Sequence, residues 1–261
     1  MKDLRKMLKE KEPAIGPFMV TASPALTEAI GYAGFDFVII CCEHGALSPF
    51  GTELEECIRA AYAADITPLV RVTENDKGMV LKALNLGGKG VIVPHINTKE
   101  DAEKLVRAAR YATVGRRSAA PPVRAAKYGV VPFPTFWRQQ NEQTLIIPLL
   151  EEKEAVQENL PEILEVKGID VVFFGPFDLS MTLGLDGVCD HPVIWDILAK
   201  TVKLCSEKGI PVMNLAWDVP SAKKSIELGC QMVALDVDMV IFKRGLQELM
   251  NKIETEIKRA K

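Results

Sequence analysis

Two adjacent glutamates, Glu151 and Glu152, follow an apolar run at 144–149, and Asp178 lies in Gly175-Pro176-Phe177-Asp178-Leu179-Ser180 after a run at 169–174. Carboxylates from neighbouring strands, with no cysteine or histidine cluster beside them, suit a hard divalent cation such as Mg²⁺ or Mn²⁺, which keeps coordination positions open for water and a chelating substrate. The same residue types also cap helices and turns, so position alone leaves both readings open. Arg71 sits in the run at 67–72 and needs anionic company, from a core salt bridge or from a substrate carboxylate or enolate. His44, in Cys42-Glu43-His44-Gly45 after the run at 35–41, is either a general base or a histidine satisfied at a strand end. Val93-Pro94-His95 and Asn214 also end apolar runs. His95 and His191 are the weaker candidates, and His191, after Asp190, reads as the structural head of a helix.

Other chemistries lack their residues. Gly87-Gly88-Lys89-Gly90 has neither the spacing nor the position of a phosphate-binding loop, and no GxGxxG follows the first strand. No lysine ends a candidate strand, which points away from a Schiff base, and there is no GxSxG nucleophile elbow. The six cysteines (41, 42, 57, 189, 205 and 230) show no CxxC spacing and read as free thiols.

These residues must be carried by elements, and the elements alternate. Apolar, β-branched runs at 15–20, 35–41, 67–72, 90–94, 144–149, 169–174, 211–214 and 232–236 are separated by helical patterns at 24–33, 52–64, 77–86, 99–111, 153–166, 191–208 and 221–228, with a last one at 239–259. Strands apolar on both faces, each followed by a helix, imply a parallel sheet covered by helices. About eight units in some 250 residues fit a single-domain α/β fold, a (β/α)₈ TIM barrel, better than an open sheet. In such a barrel, residues after the C-terminal ends of strands build the site. The segment at 112–143 breaks the rhythm with four prolines and four arginines, and reads as an excursion on the N-terminal face suited to subunit contact.

Composition bounds the rest. The 261 residues are 48% hydrophobic and 26% charged, with a net charge of −3, which excludes a disordered chain and a nucleic-acid or anionic-membrane binder relying on bulk charge. The start lacks the apolar core of a signal peptide, and no run approaches the roughly 18 apolar residues of a membrane span. The expectation is a soluble, cytoplasmic protein.

Gly34-Phe35-Asp36-Phe37-Val38-Ile39-Ile40 running into Glu43-His44 resembles the HpcH/HpaI family of metal-dependent pyruvate aldolases, typified by 4-hydroxy-2-oxoheptanedioate aldolase. Pro68-Leu69-Val70-Arg71, Gly90-Val91-Ile92-Val93-Pro94, Leu150-Glu151-Glu152-Lys153-Glu154-Ala155 and the Gly175–Ser180 element extend the likeness in the same order, from about residue 15 to about residue 236. The resemblance implies a (β/α)₈ barrel that cleaves a 4-hydroxy-2-oxo acid to pyruvate and an aldehyde, with a divalent metal ion (Mg²⁺, Mn²⁺ or similar), as a homo-oligomer. It implies metal binding by Glu151 and Asp178, and a hold on the substrate oxo oxygen by Arg71. It also implies acid–base work by His44 and a grip on the substrate carboxylate by the amides of Phe177 and Asp178. Three positions depart from the family pattern. Cys41 and Asn85 stand where aspartates are usual, the latter where the partner of His44 is expected, and Leu149 replaces a polar residue. A malyl- or citramalyl-thioester lyase and a non-catalytic metal- or oxo-acid-binding barrel are the competing readings.

Overall fold

The computed structural model describes residues 1–257. Its chain opens with α1 (Leu4–Glu10), then β1 (Ala14–Met19), α2 (Pro24–Tyr32), β2 (Phe37–Cys41), α3 (Thr52–Ala63), β3 (Thr67–Arg71), α4 (Lys77–Asn85), β4 (Gly90–Val93) and α5 (Lys99–Ala109). After a 3₁₀ turn (Arg124–Gly129) come α6 (Phe133–Gln143), β5 (Leu145–Leu150), α7 (Lys153–Gln157), α8 (Leu160–Ile163), β6 (Val172–Phe174) and α9 (Pro176–Thr182). The chain continues through α10 (Pro192–Glu207), β7 (Val212–Ala216), α11 (Val219–Glu227), β8 (Met232–Val237) and α12 (Asp238–Glu256). The eight strands pair in sequence order, all in parallel, and β8 closes on β1. This is the (β/α)₈ barrel that the alternation predicts.

Strand residues alternate between two apolar layers. Phe37, Ile39, Leu69, Ile92, Ile147, Phe173 and Met213 fill the barrel interior, while Val38, Ile40, Val70, Val91, Ile146 and Val172 pack against the helices. That double burial explains why the strands read as unbroken apolar runs rather than as alternating ones. Leu4 and Leu8 of α1 join the interior layer and stopper the N-terminal end. Arg5 fastens that stopper by donating to the Thr144 carbonyl (2.8 Å) and to Asp170 (2.5 Å). The cavity that matters therefore opens at the other end. Gly16 of β1 is obligatory, because a Cβ there would lie 1.9 Å from the Phe37 carbonyl oxygen. The next residue, Pro17, has no N–H to donate, and the β1–β8 register shifts there.

Several elements differ from expectation. The run at 169–174 forms ladder structure only from Val172, because the Asp170 carboxylate, held by Arg5 and Arg110, takes the Ile146 N–H (2.8 Å) that a strand carbonyl would otherwise accept. The helix expected at 153–166 divides into α7 and α8, the second starting at Leu160-Pro161. The excursion is not all loop: Pro132 and Pro134 start α6, since proline fits a first helical turn. It lies at the N-terminal face as expected, with Arg124 donating to the carbonyl of Leu86, the residue that follows α4 (2.7 Å). The last helix is described to Glu256, and the expected end at Arg259 lies outside the described residues.

Five of the six cysteines are buried and Cys189 is partly exposed, all as free thiols. Burial pushes the thiols of Cys42, Cys205 and Cys230 up to about 12. Among the described residues no helix is long and apolar enough to cross a membrane.

Candidate active site

At the C-terminal mouth a cavity of about 520 Å³ is lined by His44, Arg71, Glu151, Phe177 and Asp178, with Phe18, Val20, Leu149, Phe173, Gly175, Leu215 and Val237 as apolar walls. Each polar group arrives by a simple device. Arg71 is the last residue of β3 and pairs in register with Cys41, the last of β2, so both side chains point into the barrel. Glu151 is the first residue beyond β5. Asp178 stands in the first turn of α9, directly after β6. Gly175 lets these two segments approach, since a Cβ there would meet the Glu151 Cβ at 2.5 Å and its Oε2 at 3.2 Å.

The company that Arg71 needs is local. Its Nε and Nη2 donate to Cys41 Sγ at 3.2 and 2.9 Å, and its Nη1 lies 3.1 Å from Glu43 Oε2. The guanidinium also sits 4.7 Å from the Phe18 ring centroid. These contacts come from the interior side and fix the planar fork before any ligand arrives, which a flexible lysine would not allow.

Glu151 is nearly fully buried. Burial pushes its carboxyl up to about 7, and the nearby Asp178 and Glu43 carboxylates push the same way, while the hydrogen bond from the His95 N–H and the His95 ring oppose them. The His95 amide donates to Oε1 at 3.0 Å. The mouth is thus a concentration of negative charge around one partly compensated carboxylate.

The sequence-derived residues do not all converge. His44 lines the cavity with its side chain 63% exposed, and its Nε2 lies 4.0 Å from Glu43 Oε2. Asn85 does not reach His44 within the chain. It ends α4, on the N-terminal side of the barrel, where its Oδ1 accepts from Arg117 Nη2 at 2.8 Å. Within one chain it cannot be the partner of His44, because the end of a barrel helix precedes the next strand and so lies opposite the mouth. Arg117 there is buried, stacks over Tyr111 at 4.6 Å, and is pushed down to about 10 by burial. Asn214 faces outward and donates to Ser225 of α11 at 2.9 Å. His191 caps α10 by accepting from the Val193 N–H at 3.2 Å, as its position predicts.

Three residues carry more than the sequence alone assigned to them. Glu43 reaches both Arg71 and the His95 ring, whose Nε2 is 3.9 Å from Glu43 Oε1. His95, ranked as weak, stands among three glutamates, and its place after β4 was the available signal. Asp238, at the start of α12, was missed because nothing beside it marks a site. Its carboxylate accepts from the N–H groups of Val20 and Thr21, both at 3.2 Å, and so ties β8 to the loop after β1.

Residues 14–244 match the HpcH/HpaI aldolase/citrate lyase family. A hydroxypyruvate/pyruvate aldolase of Roseobacter denitrificans is 34% identical over 239 residues, covering 91% of each chain. A 2-dehydro-3,6-dideoxy-6-sulfogluconate aldolase of Pseudomonas putida is 31% identical over 244 residues, covering 94% of each. Among solved structures, an HpcH/HpaI aldolase/citrate lyase family protein of Burkholderia cenocepacia superposes with a TM-score of 0.90 at 27% identity, covering 97% of this chain and all of that one.

Proposed function

The chain belongs to the HpcH/HpaI aldolase/citrate lyase family, and from that premise we propose that it cleaves a 4-hydroxy-2-oxo acid reversibly to pyruvate and an aldehyde. It is an aldolase-type carbon–carbon lyase, in a family that is generally dependent on a divalent metal. The observation that carries the finer reading is the convergence of Arg71, His44, Glu151 and Asp178 on one cavity.

The donor set fits a hard cation. Glu151 and Asp178 offer carboxylate oxygens, the Gly175 cradle leaves room at Glu151 Oε2, and burial disfavours the charged form of Glu151, a cost that a bound cation would offset. Among the described residues no group of three or more His, Cys, Asp or Glu is disposed to hold a metal by itself, so water and substrate oxygens would fill the remaining positions. When bound, Mg²⁺ or Mn²⁺ supplies a Lewis acid to the 2-oxo acid.

Arg71, pre-oriented by Cys41 and Glu43, faces the substrate oxo oxygen and stabilises negative charge as it develops there. The first-turn amides of Phe177 and Asp178, which have no acceptor within α9, grip the substrate carboxylate. His44 takes the proton from the 4-hydroxyl, the C3–C4 pair moves into the pyruvate half as its enolate, and the aldehyde departs. Return of that proton from His44 to C3 then completes pyruvate and restores the base.

The test is pyruvate release from a panel of 4-hydroxy-2-oxo acids, read through a lactate dehydrogenase couple, before and after chelation and on adding Mg²⁺ or Mn²⁺. Metal-dependent release supports the reading. No release from any member, or release indifferent to chelation, refutes it. Two further expectations belong to the same proposal. Reduced, unpaired thiols suit a cytoplasmic location. The exposed Met239, Phe242, Leu246, Leu249 and Met250 of α12 offer an apolar contact for homo-oligomers, and a strict monomer in light scattering at micromolar concentration would contradict that.

A further inference from the structure

His95 is held in an unusual way. It follows β4 and Pro94 with φ +55, a left-handed conformation that costs a non-glycine residue about 1 kcal/mol or more and that persists where the surroundings impose it. The conformation turns its N–H onto Glu151 Oε1 at 3.0 Å. It also sets the ring among three carboxylates from two sides of the mouth. Nδ1 is 3.1 Å from Glu152 Oε1 and 3.5 Å from Glu151 Oε1, and Nε2 is 3.9 Å from Glu43 Oε1. Glu152 occupies the N-cap position of α7 yet makes no capping hydrogen bond with its side chain. That carboxylate goes to the histidine instead.

We infer that His95 is a positioning residue that holds Glu152 off the cation site, keeping the site at two carboxylates and so open to a chelating 2-oxo acid. The inference rests on the metal-dependent reading proposed above. Glu151 and Glu152 are consecutive and share the same ring nitrogen as a neighbour, so removing the ring frees a third carboxylate beside Glu151. A third carboxylate raises the attraction for a divalent ion but occupies a position the substrate needs and adds a negative charge facing an anionic ligand. His95 thus trades tighter metal binding for substrate access.

His95→Gly is the informative variant, because glycine accepts φ +55 without strain and retains the N–H to Glu151 while deleting the ring. The probes are Mn²⁺ followed by electron paramagnetic resonance, then pyruvate titrated into the Mn²⁺-loaded protein, with circular dichroism to check the fold. In His95→Gly, Mn²⁺ affinity holds or rises while pyruvate affinity for the loaded protein falls by about tenfold or more, the scale on which residues supporting metal ligands act. Adding Glu152→Ala restores pyruvate binding, and His95→Asn, which tolerates positive φ and returns a side-chain donor, restores part of it. Unchanged pyruvate binding in His95→Gly, or no recovery in the double variant, overturns the inference while leaving the metal reading intact. If wild-type Mn²⁺ binding is indifferent to Glu151→Gln, the metal reading itself fails and this inference falls with it.

Discussion

Replacing Glu151 by glutamine should make the metal-free protein more stable, and do so only on the alkaline side. The carboxyl is raised from 4.5 to about 7, chiefly by burial. A carboxyl whose folded value lies above its unfolded value costs stability when ionised. The cost is absent below about pH 4.5, grows through the interval, and is complete above about pH 7. Its ceiling is about 3 kcal/mol, from 1.36 kcal/mol for each pH unit. Glutamine keeps the shape and an oxygen for the His95 N–H but removes the charge. For a domain of this size 1 kcal/mol corresponds to about 2–4 °C, so at pH 8 the variant should melt up to about 6–12 °C above the wild type. The two should converge near pH 4.5. The assay is thermal unfolding of chelator-treated protein from pH 4.5 to 8.5, repeated with Mn²⁺. At a hundredfold excess over its dissociation constant the ion adds about 2.7 kcal/mol to the wild type and little to the variant. A variant less stable than wild type at pH 8, or a difference that does not shrink toward pH 4.5, would refute the reasoning about this buried charge.

Asp178→Ala should abolish metal-dependent pyruvate binding with the fold intact, while Glu152→Ala alone should leave that binding nearly unchanged; calorimetric titration distinguishes the two, and a reversal would shift the register by one residue. Arg71→Lys keeps the charge but loses the planar fork shared with Cys41 and Glu43, so turnover should fall by about 10²–10³, the scale of one lost oxyanion donor; a near-normal kcat would assign Arg71 to a structural role. Asn85→Asp should raise the Tm at pH 7, because the carboxylate adds a counter-charge for the buried Arg117 that already donates to Asn85 Oδ1, against about 0.3–1 kcal/mol at the negative end of α4. That carboxyl would be depressed by its partner, so the gain should fade as pH falls below about 4, and no gain at all would mean that Arg117 is already satisfied.

The barrel was legible because its strands are buried on both faces, which writes each as a short apolar run. The rule that strand ends build the site then pointed to Arg71, His44, Glu151 and Asp178, and the fold brings these four to one cavity. Two kinds of information did not survive in one dimension. Asn85 was matched by motif position, but a motif does not say at which end of the barrel a helix terminus stands. His95 was undervalued because its importance comes from residues 43, 151 and 152, which the closure of the barrel brings to it. The helix α6 was hidden by prolines that read as loop punctuation yet occupy the N-cap and first turn, where proline belongs. Asp170 shortened β6 by a hydrogen bond that no periodicity encodes.

The distribution of thiols makes the native sequence ready for site-directed spectroscopy. Five sulfurs are sealed inside the protein, so an alkylating fluorophore or spin label has one principal target, Cys189. Burial raises that thiol, and the negative charge of Asp178 raises it further. Its reactivity is therefore a meter of the local electric potential: neutralising Asp178 stabilises the thiolate and quickens alkylation. The time course of labelling at a fixed, mildly alkaline pH then reports the charge state of the mouth with no engineered residue, in a protein that has turned over no substrate.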